Sequence, residues 1–219
     1  MNVEIDFYEP LEDDPEDHMD PGVLEQIRSL YEMSFREEIS WGSDFNTITK
    51  DSSFIVASSG SLVLGYLDHY NLDDEKHENT LKGLENLMIY RELAKIGDRR
   101  ISYLMESCEK TSGQKSDISL FVPMSPDCDI LGKTDMKNDL FLDTIVVHPD
   151  FRGKGISRTL IECLGDYDYD RNVFCYTRNT NLQMQHILPG SGFIPLFQFG
   201  PVFHDRSCHQ IWVKEKDNA

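Results

Sequence analysis

The residues best placed to do chemistry lie in one short basic turn, Arg152-Gly153-Lys154-Gly155. Two glycines let a bulky group approach the main chain closely, and Arg152, Lys154 and Arg158 supply positive charge beside it. A phosphate or pyrophosphate is the ligand such a turn suits. A second candidate is Asp143, the one charged side chain inside the apolar run Leu140 to Val147. A carboxyl buried there would be pushed up toward the range of a general base; a hydrogen-bonded structural carboxylate is the plainer alternative. His204, Cys208 and His209 cluster near the C-terminus, but their spacing fits no four-ligand zinc pattern. We expect no metal. Cys163 and Cys175 sit in core-like patterns, so no covalent nucleophile is evident.

The elements that must position the turn can be read on either side of it. Leu140 to Val147 is apolar, β-branched and of strand length, and His148-Pro149-Asp150 ends it. Ile156, Leu160, Ile161 and Leu164 then recur at helical spacing. The order is strand, tight turn, helix, and the first turn of such a helix presents unpaired N–H groups at its positive dipole end. A Walker A loop would need a glycine five residues before Gly153, where His148 stands; a dinucleotide fingerprint would need one three residues after Gly155, where Arg158 stands. Neither loop fits.

The stretch resembles the acyl-CoA loop of the GNAT superfamily of N-acetyltransferases, whose pattern is Gln/Arg-x-x-Gly-x-Gly/Ala after a strand ending in Val-x-Pro. Here Val147-His148-Pro149 leads into Arg152-Gly153-Lys154-Gly155-Ile156-Ser157, with Ser157 a departure small enough to preserve pyrophosphate approach. Asn181 precedes Gly192-Phe193 at the spacing of the family's Asn-to-Gly-Phe segment. The two blocks cover Leu140 to about Leu196, and the remainder follows the family order only loosely.

The resemblance implies an α/β fold: a GNAT-type mixed, splayed central sheet flanked by helices, in a single domain over 1–219 with a partly helical insertion at about 72–137. It implies acetyl-CoA as cosubstrate and direct acetyl transfer to a primary amine in a ternary complex. The backbone of Thr144, Ile145, Val146 and Val147 would bind pantetheine, Arg152, Gly153, Lys154, Gly155, Ile156 and Ser157 the pyrophosphate, and Asn181 the pantetheine arm. Asp143 occupies a strand position where the family often carries its base. Many members place a tyrosine four residues before the Gly-Phe pair to protonate the departing thiolate, and here that residue is Leu188. Tyr176 and His186 are the alternative proton donors nearby in sequence. The substitution also motivates a rival reading, a catalytically silent acyl-CoA-binding or interaction module.

Composition sets outer bounds. The chain has 219 residues, 39% of them hydrophobic, enough for a sizeable core. No apolar stretch approaches the roughly 20 residues of a membrane span, and the five scattered cysteines read as free thiols of a reducing compartment, so a cytoplasmic protein is expected. Net charge is −18, and nine acidic residues with no Lys or Arg in the first 20 positions supply half of that excess. Such a surface repels nucleic acid and anionic membranes and attracts cations, which favours an amine-bearing cationic small molecule or a basic peptide as acceptor. Solubility alone explains the charge equally well.

Along the chain, Val3, Ile5 and Phe7 alternate as a half-exposed strand. Asp20-Pro21 opens a helix with Val23, Leu24, Ile27, Leu30, Tyr31 and Phe35 on one face. Glu37, Glu38, Trp41 and Asp44 follow in a region that borders the acceptor site in the family. Phe54 to Ala57 and Leu62 to Tyr70 form a hairpin in which Asp68, His69 and Tyr70 read as a polar strand end. The insertion shows two helical patterns, from Thr80 and from Asp98, and a short strand at Ile118 to Val122. It is a lid, a homodimer surface or an elaboration of the core. A strand at Asn172 to Tyr176, a helix from Arg178 through Leu188, and a hairpin turning at Gly200-Pro201 and ending in Gln210 to Val213 complete the reading.

Overall fold

The computed structural model describes residues 2–9, 19–35, 45, 52–78, 80–85, 122–123, 136–167, 170–199 and 208–216. The candidates Glu37, Glu38, Trp41 and Asp44, the helix expected from Asp98 and the turn at Gly200-Pro201 lie outside these. The chain forms two compact units, Met1–Tyr70 with Leu140–Asp170, and Asn71–Asp139 with Arg171–Ala219.

In the first unit, strands β1 (Glu4–Tyr8), β2 (Ser53–Ser59) and β3 (Leu62–Asn71) form an antiparallel meander. The later strand β5 (Leu140–Val147) lies beside β3, giving the order β1-β2-β3-β5. β5 approaches β3 so closely that a Cβ at Gly65 would come within 2.6 Å of the Val146 carbonyl oxygen. Only glycine fits there without displacing backbone. The His148 N–H donates to the Leu64 carbonyl at 2.9 Å, closing the end of this pairing.

Helix α1 (Pro21–Ser34) starts where expected, with the Asp20 carboxylate accepting from the amides of Gly22 and Val23. Its residues Ile27, Leu30 and Tyr31 pack with Phe45, Phe54, Val56, Val63, Tyr66 and Val146 in one apolar cluster. Helix α2 (Ile156–Tyr167) follows the basic turn, buries Ile156, Leu160, Ile161 and Leu164, and packs on β2 and β5. β5 is thus fixed by a neighbouring strand and two helices, which is why the turn at its end can be held in one place.

The second unit carries the short β4 (Val122–Pro123), β6 (Val173–Arg178), β7 (Ile194–Phe199) and β8 (His209–Lys214), in the order β6-β8-β7-β4. Helix α3 (Leu182–Gly190) begins four residues later than the sequence pattern predicts, because Arg178 still pairs in β6 opposite His209. The ends of the insertion meet: the Leu72 N–H donates to the Asp139 carbonyl at 3.0 Å. That contact holds the loop-closure cost of a long insertion at one fixed point. Asn172 reinforces it, donating its backbone N–H and its side-chain amide to the buried Asp139 carboxylate at 3.0–3.2 Å and accepting from the Lys216 amide. Among the described residues no helix is long and apolar enough to cross a membrane.

The Asn172 network gives a direct expectation. Asn172→Ala strips a buried carboxylate of its side-chain donor and should cost about 2–4 kcal/mol in denaturant unfolding. A loss below about 0.5 kcal/mol would mean that the network carries no stability.

Candidate active site

The turn after β5 is built for exposure of main chain. Pro149–Phe151 forms a single 3-10 turn. Gly153 and Gly155 then both take positive φ, 74° and 85°, a region that side chains with a Cβ rarely enter. The first intrahelical bond of α2 runs from the Thr159 N–H to the Gly155 carbonyl at 3.0 Å, so the amides of Ile156, Ser157 and Arg158 precede the ladder. Residues 152 to 155 are exposed, Ser157 is half-buried, and Ile156 turns into the core. Among the described residues the bend is left exposed from 152 to 155.

Its cations are held rather than loose. The Arg152 Nε donates to the Val147 carbonyl at 3.2 Å, and the Lys154 ammonium lies 4.5 Å from the centroid of the Phe151 ring. Phe151 in turn meets His148 edge-on at 5.4 Å, and the His148 Nδ1 accepts from the Asp150 amide. Along β5, Val146 is buried beneath α1, whereas Ile145 and Val147 are half-buried on the other face. The Val147 carbonyl, expected to help bind pantetheine, already accepts from Arg152; the second lone pair of its oxygen is the one a further donor would use.

Asp143 departs from expectation. It shares the strand face of Phe141 and Ile145, as alternation requires, but is exposed. Full burial falls instead on a carboxyl read from the sequence as part of a polar strand end. Asp68 is fully buried within β3, which runs to Asn71, one residue beyond the expected end at Tyr70. It pairs in register with Phe54 of β2 and shares a strand face with Tyr66, both members of the α1 cluster. Among the described residues, neither oxygen of Asp68 nor the hydroxyl of Tyr66 completes a hydrogen bond. Burial, and then the charge of Asp143, hold the carboxyl well above its usual range, against the opposing influence of the Thr144 hydroxyl on β5 and of its own backbone amide. Burial likewise raises the Tyr66 phenol, followed by the charges of Asp68, Tyr31 and Asp143. A signal for Asp68 existed in the sequence: an acid flanked on both sides by strand-forming residues, Val63 to Leu67 and His69 to Tyr70.

The remaining candidates belong to the second unit. Asn181 caps α3, its Oδ1 accepting from the Met184 amide at 3.2 Å, and it is exposed, with the amide nitrogen as the group left to donate. Tyr176 is 43% exposed on β6 and stacks on the buried His209 ring at 4.9 Å. His186 is exposed on α3, and Leu188 is buried in the core of that unit. The cluster His204, Cys208 and His209 resolves into a half-buried Cys208 and a buried β8 histidine, with His204 outside the described residues.

Residues 126–193 match the family model described as Acetyltransferase (GNAT) family. Comparison with curated proteins finds no match. Among solved structures, the fold is similar to a GNAT family acetyltransferase from Streptococcus agalactiae, with a TM-score of 0.54 at 15% identity, covering 98% of this chain and 96% of that one. It is also similar to the ribosomal-protein-S18-alanine N-acetyltransferase of Escherichia coli, with a TM-score of 0.52 at 11% identity over 100% and 96% of the two chains. A third likeness is the IAA acetyltransferase of Bacillus cereus, at 0.51, 13% identity and coverage of 98% and 99%.

The protonation of Asp68 has a consequence for stability. A carboxyl that keeps its proton when folded and loses it on unfolding stabilises the native state fully below its ordinary value of 3.8, and that contribution is lost as pH rises toward the elevated native value. Asp68→Asn removes the titration. In denaturant unfolding across pH 5 to 8, the wild type should therefore lose about 1.4 kcal/mol per pH unit relative to the variant, until the native carboxyl ionises. Parallel profiles would show that Asp68 is ionised in the fold. Residues 126–193 of this chain thus match the GNAT acetyltransferase family model, and the chain shares the fold of GNAT structures.

Proposed function

We propose that the protein is an N-acetyltransferase that moves an acetyl group from acetyl-CoA to a primary amine by direct transfer in a ternary complex. The observation that carries this reading is the exposed bend at 152–157, where two positive-φ glycines and the start of α2 turn main-chain amides toward solvent beside Arg152 and Lys154. A diphosphate is the anion that fits such a surface, because each amide gives a charge-assisted bond and the helix dipole adds to them. When bound, acetyl-CoA supplies an activated acyl carbon with a thiolate leaving group.

In this reading Ile145, Val146 and Val147 offer backbone groups to pantetheine and Asn181 its side-chain amide. A backbone N–H near Thr144 to Val147 stabilises the oxyanion as the amine attacks. Tyr176 is the proton donor to the thiolate in this reading, ahead of His186; its ring contact with His209 supports that choice. The acceptor is a cationic small molecule first and a basic peptide second, in keeping with a net charge of −18. The free cysteines Cys163, Cys175 and Cys208 accord with a cytoplasmic setting.

One observation favours a second reading, an acyl-CoA-binding module without turnover: Leu188 is wholly buried where the family often has its tyrosine. Thioester consumption measured with spermidine, 2-phenylethylamine and a lysine-rich peptide separates the two. Transfer to at least one amine is expected. Tight CoA binding with no turnover on any of them supports the module instead. Gly155→Val, which forbids the positive φ, should weaken CoA binding about 10- to 100-fold by calorimetry, the equivalent of one or two lost charge-assisted bonds. Unchanged affinity would contradict the proposed loop.

A further inference from the structure

Resting on the transferase reading, we propose that Asp68, reached through the Thr144 hydroxyl, is the proton acceptor that converts the acceptor's ammonium into the attacking amine. Three oxygen atoms, both of Asp68 and the hydroxyl of Tyr66, lie buried on one face of β3 without a completed hydrogen bond among the described residues. A fold does not ordinarily tolerate such a group, because each unpaired atom forfeits its hydration and gains nothing in return. Asp139 shows what this chain does with a carboxyl it uses only for structure: it surrounds it with the donors of Asn172. Among the described residues Asp68 has no comparable set of donors.

Its neighbours explain the use. Thr144 belongs to β5, the strand that leads into the CoA-binding bend, and is itself buried beside Asp68. A hydroxyl passes a proton on by accepting one and donating another. The titratable groups that act on the carboxyl or its neighbour are Tyr66 on its own strand, Tyr31 of α1 beside Tyr66 and, through its charge from the other face of β5, Asp143; its β2 partner Phe54 is apolar. No cation is among these described neighbours, so the charge that draws Asp68 into its ionised form is that of the incoming ammonium.

The step balances. As R–NH3+ arrives, Asp68 releases its resting proton to solvent and becomes a carboxylate. One N–H bond then breaks, its proton passes to Thr144 Oγ1, and the Thr144 proton passes to Asp68. A low-dielectric setting favours this neutral amine–acid pair over the ion pair. The nitrogen lone pair forms the N–C bond to the thioester carbonyl, and the C–S bond breaks with its electron pair on sulfur. The second nitrogen proton goes to the thiolate. The sum is acetyl-CoA plus R–NH3+ giving the acetamide, CoA-SH and one proton.

The test uses the full chain and whichever of the three amines turns over. Asp68→Asn and Thr144→Val should each lower kcat/KM for the amine about 100-fold or more at pH 7, with the KM for acetyl-CoA within about threefold of wild type. The deficit should shrink as pH rises and the free amine accumulates. The double variant should be no worse than Asp68→Asn, because two members of one relay are not lost twice. Either single variant within about threefold of wild type, or losses that multiply in the double variant, overturns the proposal; if Asp68→Asn fails to fold, Thr144→Val decides alone. Wild-type chain that acetylates none of the amines overturns the transferase reading itself, a different result from an active wild type matched by its variants.

Discussion

The arrangement depends on a backbone constraint at the end of β5: a chain that must leave a strand, turn sharply and enter a helix while keeping its amides uncovered. Gly153 and Gly155 meet it by taking positive φ, and residues 152 to 155 stay exposed. The flanking cations are arranged so as not to collapse onto the amides. Arg152 bonds back to the Val147 carbonyl and Lys154 rests on Phe151. The rest of the first unit keeps this bend in place, through the contact of β5 on Gly65, the His148 bond to Leu64, and the packing of α1 and α2.

Two buried carboxyls in this chain show how polar groups divide between structure and chemistry. Burial raises both above the ordinary carboxylate value. Asn172 opposes the shift at Asp139 by donating hydrogen bonds, and the result is a fixed junction joining Leu72, Asp139, Asn172 and Lys216. At Asp68 the Thr144 hydroxyl and its own backbone amide oppose burial, and the carboxyl still stays well above its usual range. The first arrangement stabilises a fold; the second stores a protonation state that a cation can reverse.

Much of the site was legible because it is local. The run Leu140 to Val147, the glycines at 153 and 155 and the stripe from Ile156 to Leu164 are contiguous, and each follows from short-range sterics or helical period. The Asp20 cap was equally plain. Asn181 was singled out as a ligand, and the structure adds that it caps α3, with the helix starting at Leu182 because β6 claims Arg178. What could not be read was burial set by distant partners. Asp143 looked buried because its neighbours in sequence are apolar, yet only one face of β5 is covered by α1 there. Asp68 looked like a strand end because it is polar, yet β2, β5 and α1 close over it. One-dimensional alternation gives the face of a residue, and the cover on that face comes from segments up to 80 residues away.

The central claim is that the amides between Gly153 and Arg158 grip a diphosphate. Titrating the isotope-labelled chain with CoA and following backbone amide shifts by NMR tests it most directly. The account predicts that the largest shifts fall on residues 153–158 and on β5, with downfield movement of the amides that precede the α2 ladder. Shifts that leave this bend untouched while CoA binds would contradict it.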